Sequence, residues 1–317
     1  MPVWLIVVLT LLGVSVIASI ILLVFAGNQT VKVMSRDYQG FKNINMDISF
    51  YKNGPVKALA EEGLKYIETL EQKEVYLTSY DGLKLQAYIF MNKNKTNKFF
   101  LGMHGFKSGP LHEYAPYIKE YMDLGFNVIL PCERAHYKSE GEYLTMGVKE
   151  RYDVKSWCDY IVTNYGKDIQ ILVQGISMGA ASVCLASNLD LPKQVIGIIS
   201  DCAYSSIKEQ MEAVLSSFKA APKGILLKTI DLNLKRKVGI SLKDESPVKA
   251  VESANVPMLF VHGKLDQMVP YRFACDLYEA CGSKKKLYIV NNANHAESMA
   301  RDKETYFKTI VEFFNIK

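Results

Sequence analysis

The sequence predicts an α/β fold with a mostly parallel central sheet, helices on both of its faces and a small helical cap, preceded by one N-terminal transmembrane helix. Three observations carry that prediction. Short apolar runs such as Lys98 to Met103 and Val195 to Ser200 alternate with stretches of helical periodicity, as strands buried on both faces of a parallel sheet do. The interval between Asp201 and Val256 breaks the alternation with two helical patterns. Ahead of it all, Val3 to Ala26 carries no charged side chain.

The chain has 317 residues, 49% of them hydrophobic, enough for one large domain with a full core. Charged residues make up 22%, the formal charge is +5, and the basic side chains are scattered. That distribution fits a solvated surface and excludes a nucleic-acid partner. Six cysteines show neither C-x-x-C spacing nor a Cys/His cluster, so buried free thiols are expected, with no disulfide framework and no metal site.

Residues 1–27 are expected to form a membrane anchor. Val3 to Ala26 would reach roughly 36 Å as a helix, enough to cross a hydrocarbon core. A cleaved signal peptide is the rival, but its apolar region is shorter and follows basic residues, which Met1-Pro2 lacks. Lys32 and Arg36 follow the span and no basic residue precedes it, which places the large domain on the cytoplasmic side of a single-pass protein. Residues 28–74 read as a connecting arm. Val56, Leu59, Leu64, Ile67 and Leu70 recur in it at near-helical spacing. Residues 75–317 are expected to hold a fold complete in itself.

That domain opens with Val75 to Leu77 and Leu83 to Phe90 around Asp81-Gly82, a hairpin. Strands follow at Lys98 to Met103, Asn127 to Pro131, Gln170 to Gln174, Val195 to Ser200, Val256 to Val261 and Lys286 to Val290. Helices are expected at Tyr114 to Leu124, Val148 to Val162 and Met178 to Ser187. The patterns Ile207 to Phe218 and Ile225 to Val238 form the cap, about residues 203–250. An insertion there lies above the strand carboxyl ends, where open sheets bind ligands.

The chemistry centres on VQGISMGAAS, Val173 to Ser182. Ser177 falls at a sharp strand-to-helix turn between Gly175 and Gly179, which lifts Oγ clear of the sheet beside a helix amino end. A serine hydroxyl needs a base, and the base an orienting acid. Of five histidines, His295 lies in the loop after the last strand. His136 is the runner-up base. His262 reads as a packing and hydrogen-bonding residue at a strand end, His112 as a surface residue and His104 as a loop-shaping one. Asp266 follows a buried strand and is the candidate acid, with Asp201 its rival. An oxyanion would be met by the backbone amides of Met178 and Phe106.

With those residues in place, the stretches HGFKSG, QGISMGA, SPVKAVESANVPMLFVHGKLDQMVP and NNANHAES resemble the α/β-hydrolase superfamily. More narrowly, the chain is similar to membrane-anchored bacterial hydrolases of the prolyl oligopeptidase and monoglyceride-lipase types. The resemblance runs from about Val75 to the C-terminus and implies a serine hydrolase without a cofactor, acting on a small acyl or lipid-like substrate. Peptidase, thioesterase and acyltransferase chemistries use the same residues, and a non-catalytic membrane scaffold is the alternative of another class. One stretch departs. Where the family carries D-x-R-x-x-G-x-S-x-G, this chain has Cys132 in place of Asp and Tyr137 in place of the first Gly. That leaves the loop's shape and the partner of Arg134 open.

Overall fold

The computed structural model describes residues 1–38, 55–216, 222–244 and 246–316, without the side chains of residues 12–23 and 26. Helix α1 (Val3–Met34) is continuous over 32 residues, so it runs past residue 27, where the sequence suggested that the anchor ends. Nothing before Ser35 breaks it, and Ser35 leaves it with extended backbone. Among the described residues no helix is long and apolar enough to cross a membrane, and the central side chains of α1 lie outside that set. Asn28, near the end of α1, accepts a hydrogen bond from Lys237 Nζ at 3.1 Å.

The first part of the arm falls at residues 39–54, outside the described residues. Its helix, α2 (Pro55–Glu68), is a layer of the domain rather than a free connector. Val56 and Ile67 are buried, and Gly63 lies so close to the next helix that a Cβ there would stand 1.8 Å from Ala115 O.

Strands β1 (Gln72–Thr78) and β2 (Lys84–Phe90) form the hairpin. Then come β3 (Lys98–Met103), α3 (Pro110–Asp123), β4 (Phe126–Pro131), α4 (Glu150–Tyr165), β5 (Gln170–Ile176), α5 (Met178–Ala186) and β6 (Val195–Asp201). Helix α3 starts earlier than its apolar pattern because Pro110 occupies a first-turn position, where a missing N–H costs nothing. Helix α4 starts later than expected. The Glu150 carboxylate accepts from the amides of Thr145 (2.8 Å) and Gly147 (2.9 Å) and fixes the chain just before it.

Between β6 and β7 (Met258–Gly263) lie α6 (Ile207–Leu215), α7 (Lys223–Asn233), a π turn at Leu234–Val238 and α8 (Pro247–Glu252). Strand β8 (Lys285–Val290) follows α9 (Arg272–Ala280), and α10 (Ser298–Arg301) and α11 (Lys303–Phe314) close the chain. The eight strands lie in the order β1-β2-β4-β3-β5-β6-β7-β8. Strand β2 is antiparallel to β1 and β4, and the rest are parallel.

Alternate residues of the buried strands feed two cores, one on each face of the sheet. Trp157, Val173 and Phe260 belong to one, and Phe100, Tyr121 and Ile310 to the other. A third cluster sits off the sheet. It joins Val31 and Met34 of α1 to Ile207, Leu226, Ile230 and Leu234 of the insertion. The end of α1 is therefore packed against the insertion. Fully burying an apolar side chain of this size is worth about 1.5–3 kcal/mol.

The departing loop is held by its own set of contacts. Tyr137 takes the left-handed conformation, φ 46°, at the glycine position. Arg134 pairs with Asp153 at 2.7 Å and Asp81 at 2.9 Å, while Cys132 donates its thiol to Gln86 Oε1 at 3.3 Å. Ser139 Oγ bonds Cys132 O at 2.6 Å and receives the Gln86 amide at 2.8 Å.

Candidate active site

Ser177 stands between β5 and α5 with φ 56° and ψ −114°, a left-handed bend that costs a non-glycine residue energy. Its surroundings hold the bend in place. A Cβ on Gly175 would fall 2.1 Å from Gly179 O, and one on Gly179 would fall 2.1 Å from Met103 O. Only glycine allows these approaches. The Ser177 amide donates to Asp201 O at 2.9 Å, tying the bend to the end of β6.

Asp266, after β7, and His295, after β8, converge on this serine. His295 Nε2 lies 2.9 Å from Ser177 Oγ, and His295 Nδ1 lies 2.7 Å from Asp266 Oδ2. A carboxylate accepts at Nδ1–H, which makes Nε2 the ring nitrogen that can accept the serine proton. The other Asp266 oxygen accepts from the amides of Met268 (2.9 Å) and Val269 (2.8 Å). Burial by itself would raise the Asp266 carboxyl. Hydrogen bonds from His262 and His295 and from the Val269 amide outweigh it and hold the group well below the usual carboxylate range.

The rivals are occupied elsewhere. Asp201 Oδ2 accepts the Tyr306 hydroxyl at 2.9 Å, and burial pushes its carboxyl up to about 6. His136 donates Nδ1–H to Arg134 O at 3.0 Å and packs edge-on against His104, with ring centroids 4.6 Å apart. His104 donates to Gly105 O at 2.9 Å and accepts the Glu133 amide at 3.0 Å, which shapes the loop. His112 is partly exposed on α3.

The loop after β3 lies against the serine. A Cβ on Gly105 would sit 3.3 Å from Ser177 Cβ. The Gly105 amide donates to Glu113 at 2.9 Å, and the Ser108 amide to Gly105 O at 3.2 Å. Phe106 follows Gly105 and lines the same cavity as Ser177 and Met178. Met178 opens α5, so its amide is one of the first-turn groups that find no carbonyl within their own helix.

Four features escaped the sequence. Glu113 is buried at the cavity wall, and burial raises its carboxyl to about 7 against hydrogen bonds from Ser108 and Gly105. His262 places Nε2 3.2 Å from Asp266 Oδ2 and 2.8 Å from Val269 O. Cys202 Sγ lies 4.0 Å from His295 Nε2, with burial pushing its thiol well above the ordinary value. Thr30, Val33 and Met34 of α1 line the cavity. Only the spacing of His262 from Asp266, four residues within VHGKLD, offered a sequence signal. The other three depend on tertiary contacts.

The family model described as the prolyl oligopeptidase family matches residues 136–317. The uncharacterized protein YqkD of Bacillus subtilis (strain 168) is 27% identical over 263 residues, covering 82% of this chain and 86% of that protein. Among solved structures, an esterase of Pyrococcus furiosus aligns with TM-score 0.63 and 23% identity over 83% of this chain and 94% of that one. The acylaminoacyl peptidase of Pyrococcus horikoshii aligns with TM-score 0.56 and 17% identity over 80% of this chain and 43% of its own.

Proposed function

The chain belongs to the prolyl oligopeptidase family, within the α/β-hydrolase superfamily, and from that premise we propose that it is a membrane-anchored serine hydrolase that cleaves acyl esters. The relay from Ser177 through His295 to Asp266, with separations of 2.9 and 2.7 Å, carries the reading. As Ser177 Oγ bonds to the ester carbonyl carbon, His295 Nε2 takes the hydroxyl proton. The carbonyl oxygen becomes an oxyanion, which the amides of Phe106 and Met178 stabilise. Its electron pair re-forms the carbonyl and expels the alcohol oxygen, which receives the proton from His295. Water then repeats the sequence, releasing the acid and restoring Ser177. Asp266 holds the imidazole in the required tautomer and offsets its charge.

Peptide cleavage on the same relay is the second reading, favoured by the family itself. The cavity of about 460 Å³ is of small-ligand size. It is walled by side chains such as Met146, Ile207, Met211 and Val269, which offer little to a peptide backbone. The test compares a p-nitrophenyl ester with peptide p-nitroanilides, using wild type and Ser177→Ala. Ester turnover that exceeds amide turnover and vanishes in Ser177→Ala supports the proposal. Turnover that survives the substitution, or no turnover at all, defeats it.

The anchor is proposed from the apolar run Val3 to Ala26 within α1, a helix of 32 residues. Lys32 and Arg36 just beyond it favour a domain on the cytoplasmic side. Extraction of membranes at alkaline pH tests the anchor, and protease accessibility in intact cells tests the side.

A further inference from the structure

The cavity at Ser177 is built partly from α1. Thr30, Val33 and Met34, at i, i+3 and i+4, present one helix face to it. That face is fixed rather than incidental. Gly27 lets α1 lie against α7, since a Cβ there would stand 2.7 Å from Thr229 Cγ2. Past the helix end, the Leu144 amide donates to Met34 O at 2.9 Å, and Arg36 donates to Glu142 O at 2.7 Å and Gly141 O at 3.0 Å.

The same helix turns apolar and exposed a short way back. Phe25 is 58% exposed, and the five residues from it to Thr30 span only about 7.5 Å of helix. The cavity's own rim is apolar too: Val214 and Met268 line it and are 45% and 41% exposed. On α7, exposed Ile225 and Leu232 share a face, with Lys228 on the same helix and Lys235, paired with Asp231 at 2.8 Å, in the π turn after it. That is the arrangement of a surface resting at a lipid headgroup level. Among the described residues no lysine or arginine lines the cavity, and its one carboxyl, Glu113, already accepts the Gly105 amide. No basic side chain among the described residues of the wall therefore selects an anionic group, and its polar side chains, Gln210 among them, are few against the apolar ones.

We infer that the substrate is a long-chain acyl ester taken from a lipid surface, and that the last turn of α1, with Val33 at its centre, is a wall of the acyl site that sets chain length. The inference rests on the serine-hydrolase reading of Ser177. An apolar chain reaching from Ser177 toward α1 stays in hydrocarbon-like surroundings from the bilayer to the scissile bond. The anchor then does two jobs, holding the enzyme at the membrane and completing the specificity pocket.

The test uses the full-length chain and p-nitrophenyl esters from acetate to hexadecanoate. Val33→Trp should lower the ratio of dodecanoate to acetate kcat/KM by about tenfold or more, because each methylene shut out of an apolar pocket weakens binding of the longer chain. Val33→Ala, which keeps the helix intact, should move the optimum to longer chains. With enzyme reconstituted in phosphatidylcholine vesicles, ester in the same vesicles should be cleaved faster than ester in separate ones. Unchanged chain-length profiles in both variants, or equal rates from the two vesicle populations, overturn the inference while leaving the hydrolase intact. Fluorophosphonate labelling of wild type reads the underlying assignment separately. A wild type that neither labels nor turns over ester removes the hydrolase reading and the inference with it.

Discussion

His262 Nε2 and Asp266 Oδ2 are 3.2 Å apart, and that same carboxylate oxygen meets His295 Nδ1 at 2.7 Å. Val269 O, 2.8 Å from His262 Nε2, can only accept, so Nε2 carries the proton and is shared between the two oxygens. His262 thereby holds the Asp266 carboxylate, which on the proposed mechanism makes it a positioning residue. A hydrogen bond to a charged group is worth ~1.5–3 kcal/mol, or about ten- to hundredfold in rate if it acts wholly on the transition state. His262→Ala is expected to lower kcat by that amount with KM little changed, and His262→Gln to recover part of it. Equal loss in kcat for both variants, with unfolding in step, would mark a packing role only.

The two buried aspartates predict a ranking. Asp266→Asn keeps the shape but turns the imidazole toward the wrong tautomer, and should cut ester turnover by about 10³–10⁴-fold. Asp201→Asn replaces a carboxyl whose partner is Tyr306, and should cost less than about tenfold. Steady-state kinetics of both variants decide this. The reverse ranking would move the acid to Asp201.

Glu113 gives a pH signature. Burial raises its carboxyl from an ordinary value of 4.5 to about 7, so the folded state holds the proton more tightly than the unfolded chain does. Its contribution to stability is complete below about pH 4.5 and is lost as pH rises through about 7. Glu113→Gln keeps an acceptor for the Gly105 amide but cannot ionise. The melting temperature of wild type minus that of Glu113→Gln is therefore expected to fall between about pH 5 and 7. A flat or rising difference would contradict a buried, protonated Glu113.

Much of this site was legible in the sequence because its parts are local. Gly175 and Gly179 announce a tight turn after a β run, and Asp266 and His295 each follow a buried strand, so a parallel sheet delivers them to one edge. What stayed hidden is tertiary. Glu113 precedes the apolar pattern that begins at Tyr114, and nothing local tells a buried carboxyl there from a surface one. Thr30, Val33 and Met34 belong to a run whose apolar residues look alike whether lipid or protein covers them. Hydropathy reads residues 1–27 as an anchor and 28–74 as an arm, and gives no sign that the last turn of α1 and the buried face of α2 pack against the rest of the chain. Tyr137 shows the opposite limit. A bulky residue holds a left-handed turn that glycine ordinarily fills, because Gly109 leaves room for its ring: a Cβ there would meet the Tyr137 hydroxyl at 2.0 Å.

The central claim is that Ser177 is the nucleophile, activated by His295, and a single labelling experiment reaches it most directly. Full-length protein is treated with a fluorophosphonate, digested, and the modified peptide mapped by mass spectrometry, alongside His295→Gln. The relay at 2.9 Å predicts one adduct, on Ser177, formed orders of magnitude more slowly in the histidine variant. An adduct on another residue, or labelling of Ser177 at an undiminished rate without His295, would contradict it.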